Sequence, residues 1–493
     1  MTTTSTSKST GKSTQQGLRF ALVIRQEFKV LLAERSLWLV GALFLALIAY
    51  AMFNGVQQSA ARDRAQAAMV ASDAQARADQ LAQLGRIMAG KELPKPFQNP
   101  ADPANMGGGF GAQHAIMPGG ALAPVALGQT DLFPGQFKVT YQSKVNFIHN
   151  NEIENPWHLL SGHFDLAFVI VYLLPLLIFA LSYNLLSAER ESGTLRLLMS
   201  QPLMLRTLIW GKVVVRAAVL LGLAVGVPVI VLLAARPVTG MTLWWALLVG
   251  AYALFWFALV VAVNAFGKSS ATNAMLLVVS WVVLVLIAPV LLNLAVTAAS
   301  PAPSRAELAT RTRVVTMEAM TRYNKLLGSD YQYMEAPEVL LPKNGRIVMS
   351  GRPLANYSIQ KQTDEQMQPE MDRFDAQQAR QQALVARYAM VSPAAVAYES
   401  FTALAGTGGR RHAHFMAQMN DYHRAWKAFF FPRIDGGMAI TEADFAHIPA
   451  FTWQEEPAAR VRQHARNSLL QLLLPAVLLL GVAGWRLRRY SVV

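Results

Sequence analysis

Cysteine is absent from this 493-residue chain and charge is scarce: Asp, Glu, Lys and Arg make up 15% of it, against about a quarter in ordinary soluble domains. Without cysteine there are no disulfides, thiolate metal sites, iron–sulfur clusters or cysteine nucleophiles, and the compartment stays open. Acid is scarcer than base, 30 residues beside 44, which leaves a net charge of +14. No His-Glu-x-x-His or Gly-x-Ser-x-Gly run occurs, and no pair of acids, or of histidine and acid, falls inside an apolar stretch. Catalytic machinery is therefore not visible, and no catalytic residue is assigned. Hydrophobic residues make up 53%, which excludes whole-chain disorder and moves the sequence toward the membrane class.

A bilayer core of about 30 Å needs roughly 20 mostly apolar helical residues. Six stretches satisfy this: Ser36 to Phe53, Phe164 to Ser187, Val214 to Ala235, Leu243 to Val263, Met275 to Thr297 and Ser468 to Trp485. Trp38, Tyr50 and Trp485 sit at ends of the first and last, where aromatic rings favour the headgroups. Lys and Arg resist translocation. Basic residues precede the first stretch (Lys8, Lys12, Arg19, Arg25, Lys29, Arg35), separate the second from the third (Arg190, Arg196, Arg206, Lys212) and follow the sixth (Arg486, Arg488, Arg489). Lys268 adds the same sign to the link between the fourth and fifth. The expected fold is an all-α membrane protein of six transmembrane helices, both termini cytoplasmic, with extracytoplasmic segments at 54–163 and 298–467.

Residues 1–17 are rich in Ser, Thr, Lys and Gln and predict a disordered cytoplasmic tail. Over 18–35, Phe20, Ile24, Phe28 and Leu31 recur at steps of four, four and three, the pattern of an amphipathic interfacial helix running into the first span. After that span, Gln57 to Met88 has good helix formers and little apolar content, so the helix should continue outward. Pro94 to Gly135 is rich in Pro and Gly, including Gly107, Gly108, Gly109, Gly111, Gly119 and Gly120, and reads as a mobile loop. The second outer segment is mainly helical by pattern: Pro303 to Leu327, Asn356 to Met390, Pro393 to Leu404 and Arg410 to Phe430. Residues 486–493 form a short cytoplasmic tail.

Gly11, Lys12 and Ser13 end like a nucleotide-binding loop, but Thr6 stands where the first glycine belongs and no strand precedes. No cofactor is expected on this chain. His412, Met416, Met419 and His423 lie along one helical face, and sulfur with imidazole suits Cu(I). Such stripes are also ordinary packing surfaces, and no metal is assigned, these four standing as weak candidates. Inside the spans, Arg216 and Asp165 near their ends are almost the sole charges, which disfavours an ion path. Tyr172, Tyr183, Asn184, Asn264, Asn273 and Asn293 could line a path or bond to neighbouring helices.

The link at 188–213 runs Glu189-Arg190-Glu191-Ser192-Gly193-Thr194-Leu195, continues through Leu198 to Ser200-Gln201-Pro202, and reaches Gly211-Lys212. It predicts a short helix with a turn at Gly193, an N-cap at Thr194 and a stop at Pro202. Leu195, Leu198 and Met199 form an apolar face and Glu189, Arg190, Glu191 and Arg196 its polar shoulders, which suits either docking into a partner's groove or resting on lipid. This run resembles the signature of ABC-2 type permeases. Gly162-His163-Phe164-Asp165-Leu166-Ala167-Phe168 with Leu174-Pro175-Leu176 resembles, more narrowly, the bacterial permeases of this type that bear the DUF3526 region. The likeness is nearest over 157–216.

The resemblance implies a permease subunit of an ATP-driven exporter in the bacterial inner membrane. It implies two separate ATPase subunits holding ATP and Mg, a second permease subunit (identical or a sibling), contact with membrane lipids, and no nucleic acid. The helix from Leu18 would be the connecting helix. Glu189 to Pro202 would be the coupling helix, with Lys212 behind it. Two other readings stay open: a permease delivering copper or sulfur for metalloenzyme maturation, and a membrane-anchored scaffold whose outer parts bind a partner.

Overall fold

A computed structural model of the chain describes residues 7–33, 35–128, 134–142, 164–201, 204–235, 239–301, 305–327 and 330–490. Six helical segments in it are long and apolar enough to cross a membrane: Leu37–Met88, Leu166–Glu191, Leu205–Ala234, Gly240–Ala265, Ser270–Ala299 and Ala458–Leu487. Each contains or largely overlaps one of the expected spans, and several begin a few turns earlier because polar helix formers extend the helix past the apolar run. The protein is a multi-pass, nearly all-α membrane protein. The one sheet among the described residues is the antiparallel pair β1 (Gln113–Ile116) and β2 (Gln136–Val139), which the sequence reading did not anticipate.

A leading helix, Ser7–Ala33, comes before the first span. It takes in part of the expected tail, which from Ser7 onward is helical. Val23, Ile24 and Leu31 turn toward the bundle, and a side chain at Gly211 of the third span would run into Val23. Glu27, on that same face, pairs with Arg216 of the third span at 2.9 Å, and both are buried. Phe28, of the same expected apolar stripe, lies one residue, about 100° of helix rotation, past Glu27 and is 48% exposed, so the stripe divides between the bundle and the surface.

Three spans carry a π-helical turn, at Val169–Leu173, Gly222–Gly226 and Val282–Ile287. Pro175, Pro228 and Pro289 follow, each four residues beyond a member of the turn (Val171, Ala224 and Val285). Proline offers no N–H to the carbonyl four residues back and crowds it, and a widened turn relieves that conflict. Pro475 lies in the sixth span without such a turn, and nothing in the structure explains the difference.

The described residues of the two segments expected outside the membrane fold together at one end of the bundle. The first-span helix, Arg35–Met88, runs unbroken out of the bundle and serves as a rail. Gln66 and Gln80 donate to the Met117 and Phe110 carbonyls, Arg77 donates to Phe445 and Ile448 carbonyls, and Asp73 holds His114. Leu84 and Ile87 reach inward, and Leu84 joins a core built on Phe415, Met419, Trp426 and Phe430 of the helix Gly409–Asp435. Beside this core, Arg305–Leu327 and Gly351–Tyr388 pack as a helical hairpin around Leu308, Met367 and Met371.

Two expectations are overturned here. The Gly-rich segment is packed rather than mobile: side chains at Gly55 and Gly120 would collide with the Pro124 and Ala405 carbonyls, and Gly107 sits against Phe430 and Tyr141. Leu122, Val125 and Ala126 are buried there. Glycine serves close approach of backbones in this segment, not freedom. The helix Pro393–Ala405 also belongs to the bundle rather than to a separate outer domain. Val396, Ala397, Phe401 and Leu404 are buried in the transmembrane core, Phe401 lies beside Trp245, and Ser392 donates to the Leu284 carbonyl of the fifth span at 2.7 Å.

Candidate functional site: the elbow between the second and third spans

The second span ends in a four-residue turn and then two short helices, Ser187–Glu191 and Thr194–Ser200, joined at Gly193. Gly193 has φ of +74°, a left-handed conformation that suits glycine and reverses the chain without strain. It also occupies the N-cap position expected of Thr194. The Thr194 hydroxyl instead donates to the Glu189 carbonyl and lies 2.8 Å from Ser192 Oγ, bracing the turn from outside. Pro202 lies outside the described residues.

The polar residues of the elbow bond inward. Lys212, on the third span, pairs with Glu189 and donates to the Leu185 carbonyl at 3.1 Å. Arg190 donates to the Gly267 carbonyl in the link between the fourth and fifth spans. Glu191 accepts from Ser270 N at 2.7 Å and from Ser270 Oγ at 2.8 Å, and Ser270 Oγ lies 2.8 Å from Ser187 Oγ. One turn deeper, buried Asn264 accepts from Leu186 N and from Asn273 Nδ2 and donates to the Val260 carbonyl. Asn273 Nδ2 also lies 3.4 Å from the Tyr183 carbonyl. Asn264 and Asn273 thus bond to neighbouring helices. A chain of hydrogen bonds fastens the elbow to the third, fourth and fifth spans, and in an apolar bundle such groups must find partners.

Leu195, a residue expected to fill a partner's groove, is 1% exposed and packs in this chain's own core, with Leu198 and Met199 half-buried against it. The turn at Gly193 sets the helix phase so that Leu197 points out instead, at 69% exposure, flanked by exposed Thr194, Arg196 and Ser200. Phe266 and Lys268 of the adjoining link are exposed too. The leading helix and the chain's end share this end of the bundle. Arg486 lies 5.7 Å over the Phe266 ring, and Tyr490 lies beside Gly267. The sequence reading missed Glu27, Gly267 and Ser270. No signal identified Glu27 beyond an acid on an otherwise apolar and basic helix.

The His and Met stripe is a packing surface. Met419 and His423 are buried, and His423 Nε2 bonds the Gln142 carbonyl at 2.9 Å. Eleven residues of helix put His412 and His423 about 16 Å apart along the axis, too far to share one ion. Among the described residues no group of three or more His, Asp or Glu could hold a metal. Burial holds His412 down to about 4, so it is neutral when folded and takes up a proton on unfolding below pH 6.5. Its contribution is complete above about pH 6.5 and is lost as pH falls toward 4, by at most about 3 kcal/mol. The thermal midpoint of His412→Gln in detergent should therefore fall less between pH 7 and pH 4.5 than that of the unaltered chain; equal slopes would contradict the assignment.

Six apolar helices, a leading helix packed against the third span and a fastened elbow between the second and third spans define a polytopic membrane domain. The chain belongs to the ABC-2 family transporter proteins, whose family model matches residues 21–406, from the leading helix past the helix Pro393–Ala405. Membership makes it a permease-type membrane subunit of an ABC transporter, a family that works with an ABC ATPase partner. No curated protein and no solved structure matches the chain.

Proposed function

We propose that this chain is the permease subunit of an ATP-driven exporter in a bacterial inner membrane, with the elbow and both termini in the cytoplasm and the domain at the far end of the bundle extracytoplasmic. Within the family we place it with the DUF3526-bearing permeases, on the residues from Gly162 to Phe168. ATP and Mg bind on two partner ATPase subunits, and this chain carries no ATPase of its own. A second permease subunit, identical or a sibling, completes the transporter.

The observation that carries the reading is the elbow itself: one exposed apolar side chain, Leu197, on a base tied into three spans by Glu189, Arg190, Glu191 and Lys212. A partner gripping Leu197 and its neighbours pulls on all three spans, because Glu189, Arg190 and Glu191 are committed to this chain's own framework. ATPase closure would draw paired elbows together, and the bundle would carry the displacement to the far domain. The near absence of charge inside the spans favours a lipophilic or amphipathic cargo. The copper-delivery reading loses the stripe that supported it.

Leu197→Glu tests this. It puts a charge where the partner's groove must be apolar, while the exposed position leaves the fold untouched. Yield and melting of the permease should match the unaltered protein, and copurification of its ABC ATPase partner should fall at least about tenfold. Undiminished copurification would reject the elbow as the motor's grip and favour the scaffold reading.

A further inference from the structure

A cavity of about 240 Å³ opens where the bundle meets the far domain, between the first turns of the fourth and sixth spans and the end of the helix Pro393–Ala405. Its lining includes the apolar residues Leu122, Met241, Leu404 and Val461. It also carries Arg410, Arg411, Glu455 and Glu456. The apolar runs of the two spans begin at Leu243 and Ser468, just beyond the lining residues Met241 and His464, which puts the cavity at headgroup depth of a bilayer the spans cross.

The two arginines differ. Arg411 is buried, and its guanidinium is committed to Glu455 at 2.6 and 2.8 Å and to the Pro118 and Gly406 carbonyls. It builds the wall. Arg410, also in the lining, has a side chain 42% exposed and reaches Glu456 through one nitrogen at 3.4 Å, which leaves further guanidinium donors for a ligand. His464 completes the polar lining and pairs with Glu399, while exposed Arg460, Arg462 and Arg466 lie outside the lining on the first turns of the sixth span and make its approach basic. Neither Thr239 nor Pro457, the N-cap residues, caps its span with a side chain, and the two helix starts add to the positive field.

We propose that this cavity binds the phosphodiester headgroup of a glycerophospholipid, with Arg410 as the phosphate contact and Leu122, Met241 and Val461 taking the start of the acyl chains. Space, depth and sign of charge all match that one ligand: a phosphate is satisfied by a guanidinium, and an apolar lining at this depth is satisfied by lipid.

Native mass spectrometry of the full chain, exchanged into detergent carrying either dioleoyl phosphatidylglycerol or dioleoyl phosphatidylethanolamine, reads the result, with sn-glycerol 3-phosphate as the chain-free probe. One retained phospholipid is expected, with retention reduced at least about tenfold in Arg410→Gln and in Val461→Trp, which adds bulk at the apolar lining, and unchanged in the distant Arg322→Gln. Stronger retention of phosphatidylglycerol identifies an anionic lipid; equal retention of both identifies the shared phosphodiester. Failure to retain either lipid, retention unaltered in both cavity variants, or equal binding of sn-glycerol 3-phosphate would overturn the proposal.

Discussion

Lys212→Met is expected to release the elbow from the third span while the six spans remain folded. The lysine and Glu189 are 7% and 18% exposed, and the lysine also holds the Leu185 carbonyl at the end of the second span. Removing the cation leaves a carboxylate facing a bundle with little water, a situation that costs about 3–5 kcal/mol when a buried pair is broken from one side. The Glu189 end can avoid that cost by swinging the helix Ser187–Glu191 outward, because Gly193 supplies a flexible joint immediately beyond. Hydrogen exchange over 187–200 should then rise by about two orders of magnitude, with the spans unaffected. Adding Glu189→Gln should restore protection, since no bare charge remains. Unchanged exchange in the single variant would mean that the pair does not anchor the elbow.

Glu27→Leu should have a comparable effect on the leading helix. Glu27 and Arg216 are 9% and 7% exposed, and the pair sits where Val23 closes against Gly211. Losing the carboxylate takes one anionic partner from the buried Arg216 guanidinium, a loss of up to about 3–5 kcal/mol. The leading helix should lift off, so that limited trypsin cleaves after Arg25 and Lys29 faster than in the unaltered protein. Glu27→Leu combined with Arg216→Leu replaces the pair by two apolar residues of similar size, and a well-packed apolar substitute is close to neutral. Cleavage should return to the original rate. Faster cleavage persisting in the double variant would assign the effect to helix packing instead of charge.

The spans were legible because about 20 apolar residues admit few other readings. The helix Pro393–Ala405 was not: at 13 residues it is too short to cross, and Ser400 and Glu399 give it a polar cast. Only its packing against Trp245 and Leu284 shows where it belongs. The glycines misled for a related reason. Gly120 meets Ala405 and Gly55 meets Pro124, partners so distant in sequence that local composition reads as looseness what the fold uses as contact. In the elbow, the residue types were legible and their directions were not. Whether Leu195 or Leu197 faces out depends on the phase set by Gly193, and the residues that receive Arg190 and Glu191 lie some 80 positions away.

The helix Arg35–Met88 is 54 residues long, about 80 Å at 1.5 Å per residue, well over twice the thickness of the hydrocarbon layer it crosses. Its foot adjoins the leading helix and its head is bonded along the far domain through Gln66, Arg77 and Gln80. A shaft of that length works as a lever arm: a rocking of about 5° at the foot sweeps the head through about 7 Å, enough to open or shut a gap the width of a sugar ring.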